Sequence, residues 1–390
     1  MGESINLVAD TIDSKDIDCL IEWLKTYPRL TKGPLTLELE EKWSKWIGRE
    51  YSVFCNSGSS ANLLMLYSLI EMGYMKRNKK VVVPSASWAT DLSPVLQLGL
   101  EPILCDSNLE NLSVDLDHLE KIFEEESPQV LLLVSVLGLV PNMETIIKLC
   151  LKHDVILLED TCESMGSKYN GQKLGTYGLM SSFSTYFGHH ISTIEGGFIS
   201  TDDYELYELL VSLRSHGWDR DLSRKTQKDL QQQWGVSDFN SLYTFYYPGF
   251  NLRSTDLQAF IGLGQIDKLD DFCIKRNVNF KLYQKYLDNS YCNFVYLDNT
   301  FISNFAYPVI HPNRDTIVEE LQKKNVEVRP MICGSMGTQP FYVKKYGRLE
   351  LPIVSIIDRY GFYVPNHPKL TEEEIKLICD IINNQIKIGD

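Results

Sequence analysis

The nine cysteines of this 390-residue chain include no CxC or CxxC pair: Cys19, Cys55, Cys105, Cys150, Cys162, Cys273, Cys292, Cys333 and Cys379 all stand singly. That absence removes the ligand spacing of zinc and iron–sulfur sites, so no metal centre is expected. No apolar run approaches the roughly 20 residues a spanning helix needs, so no membrane segment is expected either. Positive charge is scarce: 38 Lys and Arg face 52 Asp and Glu, a formal net charge of −14. A field of that sign argues against nucleic acid as a partner, because phosphates must be neutralised on binding. The one basic cluster, Lys76 to Lys80, lies between a helix-like and a strand-like stretch and reads as a solvated loop. The first residues, Met1 to Asn6, hold no charged-then-apolar signal segment, and the cysteines are odd in number and scattered. A reducing, cytoplasmic location is therefore expected.

What the chain does have is enough apolar material, 44% of its residues, for a substantial core without staples. Short β-rich runs at Tyr51 to Cys55, Val81 to Val83, Pro102 to Cys105, Val130 to Val136, Val155 to Leu158 and Ser181 to Thr185 alternate with helical stretches. The rhythm predicts an α/β fold whose mainly parallel sheet is covered by helices. Leu35, Leu39, Trp43 and Trp46 recur at helical spacing before Gly48 and read as core packing. The polar and aromatic stretch Arg220 to Tyr247 is long enough for a lid, an interface arm or an ordinary insertion. Helical patterns fill 253 to 287. The remainder reads as a smaller α/β unit, with a strand at Phe305 to Ile310 and a capping-box helix start at Thr371 to Glu374.

Four local clusters carry chemistry. Asn56-Ser57-Gly58-Ser59-Ser60-Ala61-Asn62 follows a strand and opens a helix, so its N–H groups and hydroxyls form a phosphate cradle or an ordinary strand-to-helix turn. Glu159-Asp160-Thr161-Cys162-Glu163 puts acids at the carboxyl end of a buried-looking strand, where open α/β sheets bind ligands. Metal ligation, pairing with a protonated ring nitrogen and a plain helix cap by Asp160 all remain open. His189 and His190 sit together between Ser184 and Glu195; neighbouring side chains diverge, so one catalytic and one structural histidine is the preferred reading over a metal pair. Pro248-Gly249-Phe250-Asn251-Leu252-Arg253 opens a helix with a polar pair or is a capped turn.

In this order the clusters resemble the DegT/DnrJ/EryC1 family of sugar aminotransferases, fold-type I enzymes that use pyridoxal 5′-phosphate (PLP). The resemblance runs over nearly the whole chain. It includes Gly33, Ser57-Gly58-Ser59, Glu159-Asp160, the Gly171, Gly175 and Gly178 lead into Ser182-Phe183-Ser184, Glu195-Gly196-Gly197, Arg214 with His216-Gly217, Gly249 to Arg253 and Pro365-Asn366-His367-Pro368. It implies an aspartate-aminotransferase-like large domain over residues 1–250 and a smaller C-terminal α/β domain over 251–390. By the same resemblance Gly58, Ser59 and Ser184 hold the cofactor phosphate, and Asn251 reaches it from a second subunit of a homodimer. Asp160 pairs with the pyridine nitrogen, Trp88 stacks on the ring, and Glu163 stands where aminotransferases carry glutamine. His216 and Arg253 are candidate substrate contacts.

One departure redirects the reading. The family's aminotransferases carry a lysine six residues before the Glu of the Glu-Gly-Gly turn; here that position is His189, and no lysine lies between Ser184 and Glu195. Imidazole cannot form a stable Schiff base, but it exchanges protons near neutral pH. The substitution is similar to that in the 3-dehydratase branch of the family, which acts on 4-keto-6-deoxy nucleotide sugars. It implies that glutamate converts PLP to pyridoxamine 5′-phosphate (PMP) and that His189 drives loss of the C3 hydroxyl of a GDP-linked sugar, a mannose-type hexose or the corresponding heptose. Ammonia is released and a 3,6-dideoxy sugar for lipopolysaccharide or capsule results. A dTDP- or CDP-sugar dehydrase with an external electron donor and a non-catalytic ligand sensor are the alternatives.

Overall fold

The computed structural model describes residues 4–288, 294, 299–332 and 334–386. Cys292 and Cys333 lie outside the described residues; the other seven cysteines are free. In chain order the strands are β1 (Tyr51–Cys55), β2 (Lys80–Pro84), β3 (Glu101–Cys105), β4 (Val130–Val134), β5 (Ile156–Asp160), β6 (Lys168–Tyr169), β7 (Gln172–Lys173), β8 (Met180–Ser184), β9 (Gly197–Thr201), β10 (Thr300–Phe301), β11 (Tyr307–Ile310), β12 (Arg329–Pro330) and β13 (Gly361–Val364). Seven of them form one sheet in the order β1-β9-β8-β5-β4-β2-β3. Only β9 runs against its neighbours in that sheet; all other pairings are parallel. Two small antiparallel sheets, β10-β6-β7 and β11-β13-β12, complete the strands.

The expected strand rhythm is present, with shifted ends. The run predicted over Val130 to Val136 stops at Val134, because a single 3-10 turn, Val136–Gly138, takes over and Leu137 there has φ +51°. The run predicted over Val155 to Leu158 continues instead through Glu159 and Asp160. The central strands are buried on both faces, as the continuous Val130–Val134 run requires. The predicted stripe before Gly48 forms the helix Pro34–Ile47, started by proline in its first turn and stopped by Gly48 in the left-handed conformation. Its Trp43 is fully buried and stacks on Phe198 with centroids 4.2 Å apart. Truncating such a side chain to alanine costs about 3–5 kcal/mol.

Residues expected to be helical over 253 to 287 form one 31-residue helix, Asp256–Tyr286, opened by a Thr255/Gln258 capping box. The segment Pro248 to Arg253 does not itself open that helix. It runs extended, with bridges from Asn251 to Ser215 and from Arg253 to Cys55. The stretch 220–247 contains the helices Arg224–Trp234 and Asp238–Ser241. In the basic loop, Arg77 donates to the carbonyls of Pro128, His153 and Asp154, which makes it a tie between loops. One apolar cluster joins Val82 and Leu131 of the large sheet to Tyr307 and Phe362 of the smaller one. No helix among the described residues is long and apolar enough to cross a membrane.

Candidate active site

The carboxyl ends of β1, β4, β5 and β8 converge on a cavity of about 730 Å³, closed from the other side by Phe305, Glu327, Arg329, Ile332 and Tyr363 and by the segment Asn6 to Val8. This is where a parallel sheet opens between its strand ends and leaves room for a ligand. Of the residues singled out in the sequence, Gly58, Ser59, Trp88, Asp160, Glu163, Ser184 and His189 line this one cavity. Asn251, His216 and Arg253 do not: Asn251 is exposed and accepts from Arg253 Nε at 3.0 Å, while His216 stands against Trp218.

Ser57 caps the helix Gly58–Glu71 by accepting from Ser60 N at 3.1 Å, which leaves the first N–H groups and the positive end of the helix facing the cavity. Glycines bring two further pieces against that end. A Cβ on Gly58 would lie 2.7 Å from Ser184 Cβ, and one on Gly197 would lie 2.5 Å from Gly58 N. Any side chain at either place would push the cradle apart. Ser59 is held by Thr90 at 2.9 Å.

Successive side chains of a strand point to opposite faces, and this separates the adjacent acids of β5. Glu159 turns away and accepts from the N–H groups of Gly175, Tyr177 and Gly178, each at 2.7 Å. Asp160 enters the cavity, accepting from Asn62 Nδ2 at 2.6 Å and from Cys162 N at 2.9 Å. Glu163 accepts from Leu137 N at 2.6 Å; burial pushes its carboxyl up to about 8. The Trp88 ring is 52% exposed although it lines the cavity, a large apolar surface left free for a ligand.

The adjacent histidines diverge. His190 is fully buried, its Nε2 bonded to the carbonyl of Ser303 at 2.8 Å. His189 lines the cavity, with Phe305 and Tyr186 against its ring, and its Nδ1 finds no hydrogen-bond partner among the described residues. Burial pushes its imidazole down to about 4; the Asp160 carboxylate pulls the other way, and Arg276 adds to the depression. No lysine lines the cavity among the described residues. Neither histidine belongs to the one trio of metal-capable side chains found among those residues, Glu120, Glu124 and His153.

Sequence reasoning missed Asp91, Tyr186, Glu327 and Arg329, and gave Asn62 no role of its own within the Gly/Ser cluster. Asp91 carried a usable signal, an acid three residues after Trp88, which caps the helix Ala89–Gln97. Glu327 and Arg329 carried none, because they reach the cavity from the smaller sheet, where Glu327 pairs with Arg329 and accepts from Leu7 N at 2.8 Å.

Residues 10–383 match the model of the DegT/DnrJ/EryC1/StrS aminotransferase family. The GDP-4-keto-6-deoxy-D-mannose 3-dehydratase of Yersinia pseudotuberculosis is 32% identical over 386 residues, 96% of this chain and 97% of that protein. Among solved structures, a GDP-4-keto-6-deoxymannose-3-dehydratase variant with bound GDP-perosamine has a TM-score of 0.88 at 30% identity, covering 97% of this chain and 100% of the other. A second structure of that dehydratase, holding a trapped PLP-glutamate geminal diamine, has a TM-score of 0.88 at 30% identity over 97% of this chain and 99% of the other.

Proposed function

This chain belongs to the DegT/DnrJ/EryC1/StrS aminotransferase family, and from that premise we propose that it is a PLP/PMP-dependent 3-dehydratase of a GDP-linked 4-keto-6-deoxy sugar, with glutamate as amino donor. The observation that carries the reading is His189, an imidazole with Nδ1 unbonded in a cavity that no lysine lines among the described residues, at the place where the family's aminotransferases hold their cofactor by a lysine. The residues fit the cofactor. A helix end with Gly58, Ser59 and Ser184 suits its phosphate, Asp160 suits a protonated ring nitrogen, and the bare Trp88 ring offers a stacking face. When bound, PLP/PMP supplies an amine and an electron sink.

The chain's part is orientation and proton placement. His189, kept neutral at physiological pH by burial, accepts a proton at its imidazole and returns it to the departing C3 hydroxyl. No lysine among the described residues is placed to recapture the cofactor aldehyde, which favours elimination over amino transfer. Glu163, whose carboxyl burial pushes up to about 8, would offer a carboxylic acid from the cavity wall. Arg329 places a cation in the wall suited to a carboxylate of the amino donor. The exposed Asn251, with His216 and Arg253, completes the site of a partner subunit in a homodimer. Residues 1–250 form the cofactor-binding unit and 251–390 the smaller one. The enzyme acts in the cytoplasm, on the route to a colitose-type 3,6-dideoxy sugar of lipopolysaccharide or capsule.

The test is direct. Adding glutamate to PLP-loaded protein should convert aldehyde absorbance to amine absorbance and release 2-oxoglutarate. Addition of GDP-4-keto-6-deoxymannose should then release ammonia, with CDP, dTDP and heptose analogues turned over more slowly. Failure of the first conversion sinks the proposal; turnover of another sugar alone would correct the substrate.

A further inference from the structure

Asn62 sits at an unusual junction. Its single amide nitrogen has three oxygens around it: Asp160 Oδ2 at 2.6 Å, Asp91 Oδ1 at 3.0 Å and the Thr90 carbonyl at 3.2 Å. An amide nitrogen carries two hydrogens, so the three oxygens share them. Turning the amide over would set its Oδ1, which now accepts from Ser182 Oγ at 2.6 Å, against those three oxygens. Two carboxylates therefore meet at one donor in a buried place, with Asp91 fully enclosed and Asp160 nearly so.

Carboxylates that share a dry site do not both ionise. Burial, then the Asp160 charge, push the Asp91 carboxyl well above the ordinary carboxylate range. The titratable groups facing Asp91 are Asp160, Glu163 and Cys162, none of them cationic. Its second oxygen, Oδ2, is already used: it accepts the Trp88 N–H at 2.8 Å. Trp88 and Asp160 are the two groups proposed above for the face and the nitrogen of the cofactor ring. Asp91 touches both.

We propose that Asp91 is a positioning residue for the cofactor: its carboxylic acid donates to Asp160 and accepts from the Trp88 amide, so one buried side chain aligns the partner of the ring nitrogen with the stacking wall. The inference rests on the PLP reading of the cavity. With the shared proton, Asp160 faces the ring nitrogen as a lone carboxylate, and the pair together carries one negative charge. One charge balances a protonated ring; two would leave an unpaired charge in the site.

The test compares wild type with Asp91→Asn and Asp91→Leu in two measurements. The first is PLP binding, followed by quenching of protein fluorescence. An amide can donate to Asp160 and accept from Trp88 as the acid does, so Asp91→Asn should bind PLP within about threefold of wild type. Asp91→Leu can do neither; a lost hydrogen bond to a charged group corresponds to about tenfold or more in the dissociation constant. The second is the infrared difference between wild type and Asp91→Asn without cofactor, which should contain the C=O band of a protonated carboxylic acid. Absence of that band, or equal binding by the Asn and Leu variants, overturns the proposal. If wild type itself fails to bind PLP, the cofactor reading falls instead, and the positioning role falls with it. If Asp91→Leu does not fold, judged by circular dichroism, the Asn variant and the infrared band still decide.

Discussion

Along the strand-end wall of the cavity, Asp160, Asn62 and Asp91, with Ser182 behind them, are held by bonds of 2.6 Å and 3.0 Å, and both acids accept from a donor. The facing turn from Tyr186 to His189 is built differently. Tyr186 and Phe187 are exposed, and the His189 ring meets aromatic edges and leaves Nδ1 without a partner. The bonds within the wall fix its side chains in place, which lowers the ordering cost of binding. The turn leaves His189 Nδ1 unbonded among the described residues, which the acid–base role proposed for it needs. In the proposed reading binding and proton transfer fall to different pieces of chain, and substitutions should separate them.

The largest effect should come from the turn. His189→Asn keeps a polar hydrogen-bonding side chain but removes its basicity, and should slow water elimination about 10²- to 10⁴-fold. PLP affinity, measured by absorbance titration, should stay within about threefold. If elimination survives, the base lies elsewhere and the contrast between wall and turn collapses. Asp160→Asn should do the reverse. Losing a charged partner of the ring nitrogen should weaken PLP binding about 10- to 100-fold, from about 1.5–3 kcal/mol for such a bond.

A smaller effect sharpens the contrast within the turn itself. His190→Phe leaves the buried Ser303 carbonyl without the His190 ring nitrogen and should lower stability by about 1–3 kcal/mol in urea unfolding, with elimination by the folded fraction within about twofold. A loss of catalysis matching that of His189→Asn would make the pair functionally equivalent. The mildest expectation concerns acid. Burial pushes both His189 and His367 down to about 4, so between pH 6.5 and about 4 the unfolded chain binds protons that the folded protein refuses. The part of the stability contributed by these two imidazoles should be full above about 6.5 and decline as pH falls through that window. In His189→Asn the decline should be shallower, as read from urea midpoints at successive pH values.

Periodicity made much of the fold legible, since alternating apolar runs leave few ways to bury both faces of a sheet. It lost accuracy at strand ends. Nothing in Val130 to Val136 marks where Leu137 enters the left-handed region, and nothing in the Glu159-Asp160 pair says which acid faces the cavity. That depends on the phase of β5 against its neighbours, where Asp160 stands opposite Val134 and Ser182.

The sequence by itself determined the chemistry on offer: a Gly/Ser turn opening a helix, an acid at the end of a strand, and a histidine six residues before Glu195 with no lysine near it. These are local facts, written in spacing and residue type. Only the tertiary structure decided that Asn62 joins Asp91 to Asp160, that Glu327 and Arg329 close the cavity from another sheet, and that His190 turns inward to Ser303 while His189 faces the cavity. The physical reason is separation along the chain. Asn62 and Asp160 are 98 positions apart, and contacts of that range are set by how sheets and helices pack, which no local pattern of residues records.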